Sequence, residues 1–97
     1  QELRLMFDGA PIGMFTAGLD GLFNEVNPAL VGLLGYSAEQ LLGMRCAELT
    51  VESDRPALES AYRALVSGAR SSFNCRVRWM RSDGEVLTVE IHAAVAG

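Results

Sequence analysis

The hydrophobic positions of this chain change their period along its length. Near the N-terminus Leu3, Met6 and Phe7 fall at i, i+3 and i+4, ahead of Gly9 and Pro11. That spacing marks one face of a helix and predicts a short amphipathic cap over residues 1–9. The next stretch, IGMFTAGLDGLFNEV, reads as two strands around a tight turn, with Gly21 supplying the positive φ that ends it. In NPALVGLLGY, Asn27 is a good N-cap, Pro28 takes the first helical position, where its missing N–H is no loss, and Gly35 ends the helix. Two residues later Ser37 and Gln40 form a Ser-x-x-Gln capping box for a second short helix, closed by Gly43. Leu30, Leu33, Leu34, Leu41 and Leu42 give this pair an apolar side. MRCAELTVESD reads as a connector with one more helical turn. Ser53 is the expected cap of a longer helix over DRPALESAYRALVSG, with Asp54 in its first turn and Pro56 among its tolerated opening positions. Leu58, Tyr62 and Leu65 form the stripe of that helix, Ala61 and Val66 lie alongside, and Gly68 is the stop.

In the last third the period falls to two. SSFNCRVRWMR places Phe73, Cys75, Val77 and Trp79 on one face, with Ser72, Asn74, Arg76 and Arg78 on the other. EVLTVEIHAAVAG places Leu87, Val89, Ile91, Ala93 and Val95 against Val86, Thr88, Glu90, His92 and Ala94. The two runs flank SDG and predict a hairpin. A two-residue Asp83-Gly84 loop would pair Val77 with Glu90 and put the faces out of phase. A loop of Ser82, Asp83 and Gly84, with Gly84 left-handed after a type I turn, pairs Arg81 with Glu85, Trp79 with Leu87, Val77 with Val89, Arg76 with Glu90 and Cys75 with Ile91. Every apolar pair then matches, and that register is the expectation.

Composition narrows the class. The chain has 97 residues, enough for one domain with a thin core, and 49% of them are apolar, well above a disordered chain. The net charge of −4 argues against binding a phosphate backbone, so no nucleic-acid contact is expected. No apolar run is long enough to span a bilayer, and the N-terminus lacks a signal-peptide layout, so no membrane insertion is expected. Cys46 and Cys75 are far apart and match no ligand spacing; reduced thiols in a cytoplasmic setting are the simpler reading. With no initiating Met, the chain reads as a piece of a longer protein.

The order of elements is hairpin, short helices, one longer helix and a long hairpin, which is α+β with helices on one face of an antiparallel sheet. In that frame GLDGLFNEVNPAL, LLGYSAEQLLG, Asp54 before the long helix, and RVRWMRSDG together make the chain resemble a PAS domain over residues 10–97. The resemblance implies a five-stranded antiparallel sheet in the order 2-1-5-4-3, with the helices arched over it around a small pocket. The breaks at Gly35 and Gly43 then become bends in the pocket wall. Only four strands can be read here. The central fifth is not present in these residues, which leaves the domain C-terminally incomplete. Three alternatives stay open: the chain is cut short, the strand lies outside these residues, or another chain fills the slot. Its absence predicts unpaired strand edges.

The resemblance also directs the chemistry. Haem-binding members place a His ligand on the long helix; this helix has none, and the single histidine, His92, sits on the last strand facing away from the apolar side. Light-oxygen-voltage members resemble Gly-x-Asn-Cys-Arg-Phe-Leu-Gln where this chain reads GMRCAELT. Cys46 falls on the reactive column, but Arg45, Ala47, Glu48 and Thr50 replace the Asn, Arg, Phe and Gln. The cofactor is therefore unknown, with haem and flavin disfavoured, and Cys46 and Cys75 read as ordinary buried residues. No nucleophile, base and orienting group come together, so no catalysis is expected within these residues. Arg70, Arg76, Arg78 and Arg81 read as a solvated face paired with glutamates. Candidates for the pocket are Met14, Val26, Leu34, Tyr36, Leu49, Leu58, Tyr62, Cys75, Val77, Trp79, Val89 and Ile91. Tyr36, Tyr62 and Trp79 are its best polar-tipped groups, since a buried hydroxyl or indole N–H needs a partner.

The resulting expectation is a cytoplasmic PAS sensory or interaction module of a bacterial signalling protein. It would relay a small-molecule or partner signal to an output domain in the same polypeptide. That output would be a histidine kinase of a two-component system or a diguanylate cyclase of the GGDEF type. Leu3, Met6 and Phe7 are the candidate homodimer contacts. The alternatives are a ligand-free structural dimerisation module, or the PAS module of a transcription regulator.

Overall fold

The computed structural model describes residues 9 and 12–95. The cap helix predicted around Leu3, Met6 and Phe7 lies outside the described residues. Strands β1 (Phe15–Ala17) and β2 (Phe23–Val26) form the first hairpin, and Gly21 turns it at φ 85°. Helix α1 (Pro28–Leu34) begins at Asn27, whose side chain accepts the Leu30 N–H, and ends at Gly35 with φ 80°. Helix α2 (Ala38–Leu42) carries the reciprocal Ser37–Gln40 box. The further turn in the connector is α3 (Cys46–Leu49). A 3-10 turn (Glu52–Asp54) leads into α4 (Arg55–Val66), and strands β3 (Ser72–Met80) and β4 (Val86–Ala94) close the fold.

The second hairpin has the predicted register. Cys75 pairs with Ile91, Arg76 with Glu90, Val77 with Val89 and Trp79 with Leu87. The Arg81 N–H donates to the Glu85 carbonyl at 2.7 Å, and Gly84 has φ 87°. Two expectations are corrected. Ser53 does not cap the long helix: its hydroxyl accepts from Arg78 Nη2 at 2.9 Å, and Asp54 occupies the cap position without a capping bond. The intervening 3-10 turn shifts the helix start by one residue and frees both side chains to face β3. Leu33 and Leu42 are also not part of the buried side; they stay about two-fifths exposed while Leu30, Leu34 and Leu41 are buried. Helices of one or two turns present only a narrow stripe inward.

The strands form two antiparallel pairs, β1–β2 and β3–β4, rather than one continuous sheet. Their outer edges are covered by a single segment. Phe23 N–H donates to the Met44 carbonyl and Cys46 N–H to that of Gly21, both at 3.1 Å, which seals β2. Five residues on, Val51 N–H donates to the Arg78 carbonyl at 2.9 Å beside a Thr50–Trp79 bridge, which seals part of β3. The other edges are bare among the described residues. β1 and β4 face each other across a slot of about 850 Å³, floored by Leu30, Leu65 and Trp79. The slot lies where the 2-1-5-4-3 order puts its central strand.

The hairpin turn of β3–β4 docks on the end of α1. Arg81 Nη1 donates to the Leu33 carbonyl at 2.7 Å, and Ser82 N–H to that of Leu34 at 2.9 Å, so the last helical carbonyls find partners and a cation sits at the negative end of the helix. Gly35 eases this approach, because a Cβ there would press on Ser82 Oγ, the rotatable end of that side chain. Gly35→Ala, strained in both φ and contact, is expected to destabilise the domain by about 2 kcal/mol. Adding Ser82→Gly should recover the contact part alone. Urea midpoints of the single and double variants measure both; equal midpoints for Gly35→Ala and the parent chain would contradict the close packing.

Candidate functional site

The interior is assembled around Trp79, 2% exposed, on the inward face of β3. Its ring lies 6.1 Å from Phe15 and 6.2 Å from Phe23, and those two meet edge to face at 5.1 Å. The indole Nε1–H donates to Thr50 Oγ1 at 3.0 Å, and the Thr50 hydroxyl donates onward to the Cys46 carbonyl at 2.9 Å. The aromatic group that most needed a buried partner therefore has one in the protein. Tyr62, on α4, donates its hydroxyl to the Gly18 carbonyl in the β1–β2 turn. Burial, with smaller contributions from Cys46 and Asp20, pushes its phenol upward, so it remains a neutral donor.

Asn27 does more than cap. Fully buried, its Oδ1 accepts both the Leu30 N–H at 3.0 Å and the Met14 N–H at 2.8 Å, and its Nδ2 donates to the Ile12 carbonyl at 2.9 Å. One side chain thus ties α1 to the segment entering β1. The capping role was visible in Asn-Pro; the bridge to Ile12 and Met14 spans more than a dozen residues and has no local signature.

The twelve pocket candidates separate into three groups. Leu34, Leu49, Leu58, Val77, Trp79 and Ile91 are core residues. Val26, Tyr36, Tyr62, Cys75 and Val89 are half-buried against that core. Met14 is more open and borders the slot, together with Tyr62, Trp79, Val89 and Ile91. A second concave space of about 410 Å³ lies between the β1–β2 turn, the start of α3 and one face of α4. Leu58 and Tyr62 from the candidate set line it. Its other walls are Leu19, Ala47 and Val66, with Asp20, Arg45, Glu59 and Arg63 at the rim. These groove residues escaped the sequence reading; an apolar Leu19 within a turn was the one available signal.

The thiol of Cys46 sits in the groove wall, where burial pushes it up to about 12. It stays protonated near neutral pH and is no nucleophile. Burial raises Cys75 as well. Among the described residues no three His, Cys, Asp or Glu side chains gather as a metal site. His92 is exposed, 2.7 Å from Asn74 Oδ1 and 3.1 Å from Glu90 Oε1 on the outer strand face.

The arginines are held mostly by aspartates. Arg76 pairs with Glu90 at 3.0 Å as expected, but Arg81 meets Asp83 at 3.3 Å and Arg78 is gripped by Asp54. Asp54 accepts Arg78 Nε and Nη2 at 3.0 Å each and its backbone N–H at 2.9 Å, clamping the start of α4 to β3. Those bonds, the side-chain ones first, hold the Asp54 carboxyl below the usual carboxylate range. A depressed folded-state pKa means stability that is present above the unfolded value and lost as pH falls through the folded one. Stability should therefore drop as the pH falls below about 4, and Asp54→Asn should flatten that slope. Urea midpoints between neutrality and acid measure it; parallel profiles for the two chains would refute the clamp.

The family model for the PAS fold matches residues 1–97. The chain is 32% identical over 86 residues to "Probable diguanylate cyclase DgcE" of Escherichia coli K12, a match covering 89% of this chain and 8% of that protein. Among solved structures, a domain of a sensory box sensor histidine kinase/response regulator from Geobacter sulfurreducens superposes with a TM-score of 0.86 at 23% identity, covering 98% of this chain and 82% of that one. The PAS domain of an HTR-like protein from Haloarcula marismortui gives 0.76 at 25%, covering 94% and 78%. This chain belongs to the PAS family of signalling domains. No helix among the described residues is long and apolar enough to cross a membrane.

Proposed function

We propose that the chain is the sensory module of a cytoplasmic signalling protein, binding a compact, mainly apolar small molecule and passing its presence to an output domain in the same polypeptide. The observation that carries this is the open groove of about 410 Å³ set directly against Tyr62 and the filled core. Its apolar wall and charged rim suit a molecule with an apolar body and a polar end. The likeness to a diguanylate cyclase favours that output over a histidine kinase. The slot between β1 and β4 lies where the family's strand order seats a fifth, central strand. Homodimerisation through Leu3, Met6 and Phe7 belongs to the same reading and rests on the sequence pattern alone. The module performs no catalysis.

Native mass spectrometry of freshly purified protein tests the reading. A bound small molecule is expected, and Ala47→Trp, which fills the groove, should remove it. A ligand-free spectrum would instead favour the structural dimerisation module. That second reading draws support from Trp79, which fills the centre and has its hydrogen bond satisfied by Thr50.

A further inference from the structure

The groove and the slot share a wall. Tyr62, Leu19 and Val66 line both spaces. The hydrogen bond from Tyr62 to the Gly18 carbonyl spans that wall, joining the middle of α4 to the residue that follows β1. Gly18 is itself the pivot of the turn. Its carbonyl also accepts the Gly21 N–H at 2.9 Å, and its N–H donates to the Leu22 carbonyl at 3.0 Å. Leu19, Asp20 and Gly21, between those two bonds, line the groove. A body entering the groove therefore meets both partners of the Tyr62 bond, the phenol ring on one side and the turn that presents its acceptor on the other.

We propose that Tyr62 is a latch through which filling of the groove changes how firmly β1 is held. The inference rests on the groove being the ligand site. With the latch closed, the phenol pins the turn to α4, and β1 keeps its place beside the slot. An occupant that displaces the ring or the turn weakens the bond, and β1 is then held by its pairing with β2 and by the anchors at either end. By linkage the relation is reciprocal: whatever steadies β1 from the slot side favours the empty groove by the same factor. The geometry thus gives the module a route from ligand to strand that runs through one hydroxyl group.

A double-mutant cycle tests it without an identified ligand. Ala47→Trp and, separately, Glu59→Trp place an indole in the groove as a built-in occupant, from α3 and from the exposed side of α4. Each is made with Tyr62 and with Tyr62→Phe, which keeps the ring and removes the hydroxyl. Amide hydrogen exchange is then read at residues 15–22, with Val77 and Trp79 as the core reference. With Tyr62 present, each indole should speed exchange at residues 15–22 by about fivefold or more. With Tyr62→Phe, exchange is already fast and the indole should add nothing. Equal effects in both backgrounds, or no effect in either, overturn the latch. So does a Tyr62→Phe chain that fails to fold, since the hydroxyl would then be a structural bond and not a switch. The two failures are separable: a ligand-free mass spectrum sinks the groove as ligand site and leaves the cycle intact, whereas a flat cycle beside a bound ligand sinks the latch alone.

Discussion

Trp79→Ala should destabilise the domain by about 4 kcal/mol and lower its melting temperature by about 20 °C. The ring is 2% exposed and sits against Phe15 and Phe23, so its removal opens a cavity bounded by both hairpins and by Thr50. Those surroundings collapse poorly, because Phe15 belongs to one strand pair and Trp79 to the other, and no backbone ladder joins the two. Trp79→Phe separates packing from hydrogen bonding. It keeps an aromatic ring and removes the Nε1–H, while Thr50 still donates to the Cys46 carbonyl. Its cost should be about 1 to 2 kcal/mol. Far-ultraviolet circular dichroism must follow the unfolding, since the chain contains one Trp and the substitution removes the fluorophore. A loss below about 1.5 kcal/mol for Trp79→Ala would contradict the central placement of this side chain.

Asn27→Ala should cost about 3 kcal/mol, well beyond the usual loss of a helix cap. The substitution removes the side-chain partner of the half-buried Met14 N–H and Ile12 carbonyl and one of the two acceptors of the Leu30 N–H, which keeps the Asn27 carbonyl at 3.1 Å. Asn27→Ser is the informative control. A serine hydroxyl can cap Leu30 and is too short to hold Met14 and Ile12 as well, so it should recover only about 1 kcal/mol. Urea titrations of the three chains give the two increments. If Asn27→Ser matches the parent chain, the bridge to the first strand contributes nothing.

These two residues mark how far the sequence could be read. The alternation of Phe73, Cys75, Val77 and Trp79 against Leu87, Val89 and Ile91 admits one register, and the hairpin has it, because a slip would expose a whole apolar face. The Ser37–Gln40 box and the stops at Gly35 and Gly68 are likewise local chemistry that a linear reading captures. What escaped is long-range. Ser53 looked like the cap of the long helix and is not; Asp54 does stand at the helix start, but both are held to Arg78, twenty-four residues away or more. The groove walls come from three elements whose individual residues, such as Ala47 and Leu19, carry no pattern until the chain has folded. Tyr62 was legible as a polar-tipped aromatic on an apolar stripe, but its acceptor, a backbone carbonyl in the opposite turn, has no sequence signature at all.

The gap between the two strand pairs has a mechanical consequence. Where a continuous ladder would make the sheet one stiff plate, the described residues form two plates joined by the helical arch and by aromatic packing at their base. No ladder joins the plates directly, and only the Met44–Val51 segment bonds to both; an insert paired with each would act as a splint whose alignment both plates must follow. A displacement of that insert by two residues would preserve its facing pattern and still re-aim everything attached to it.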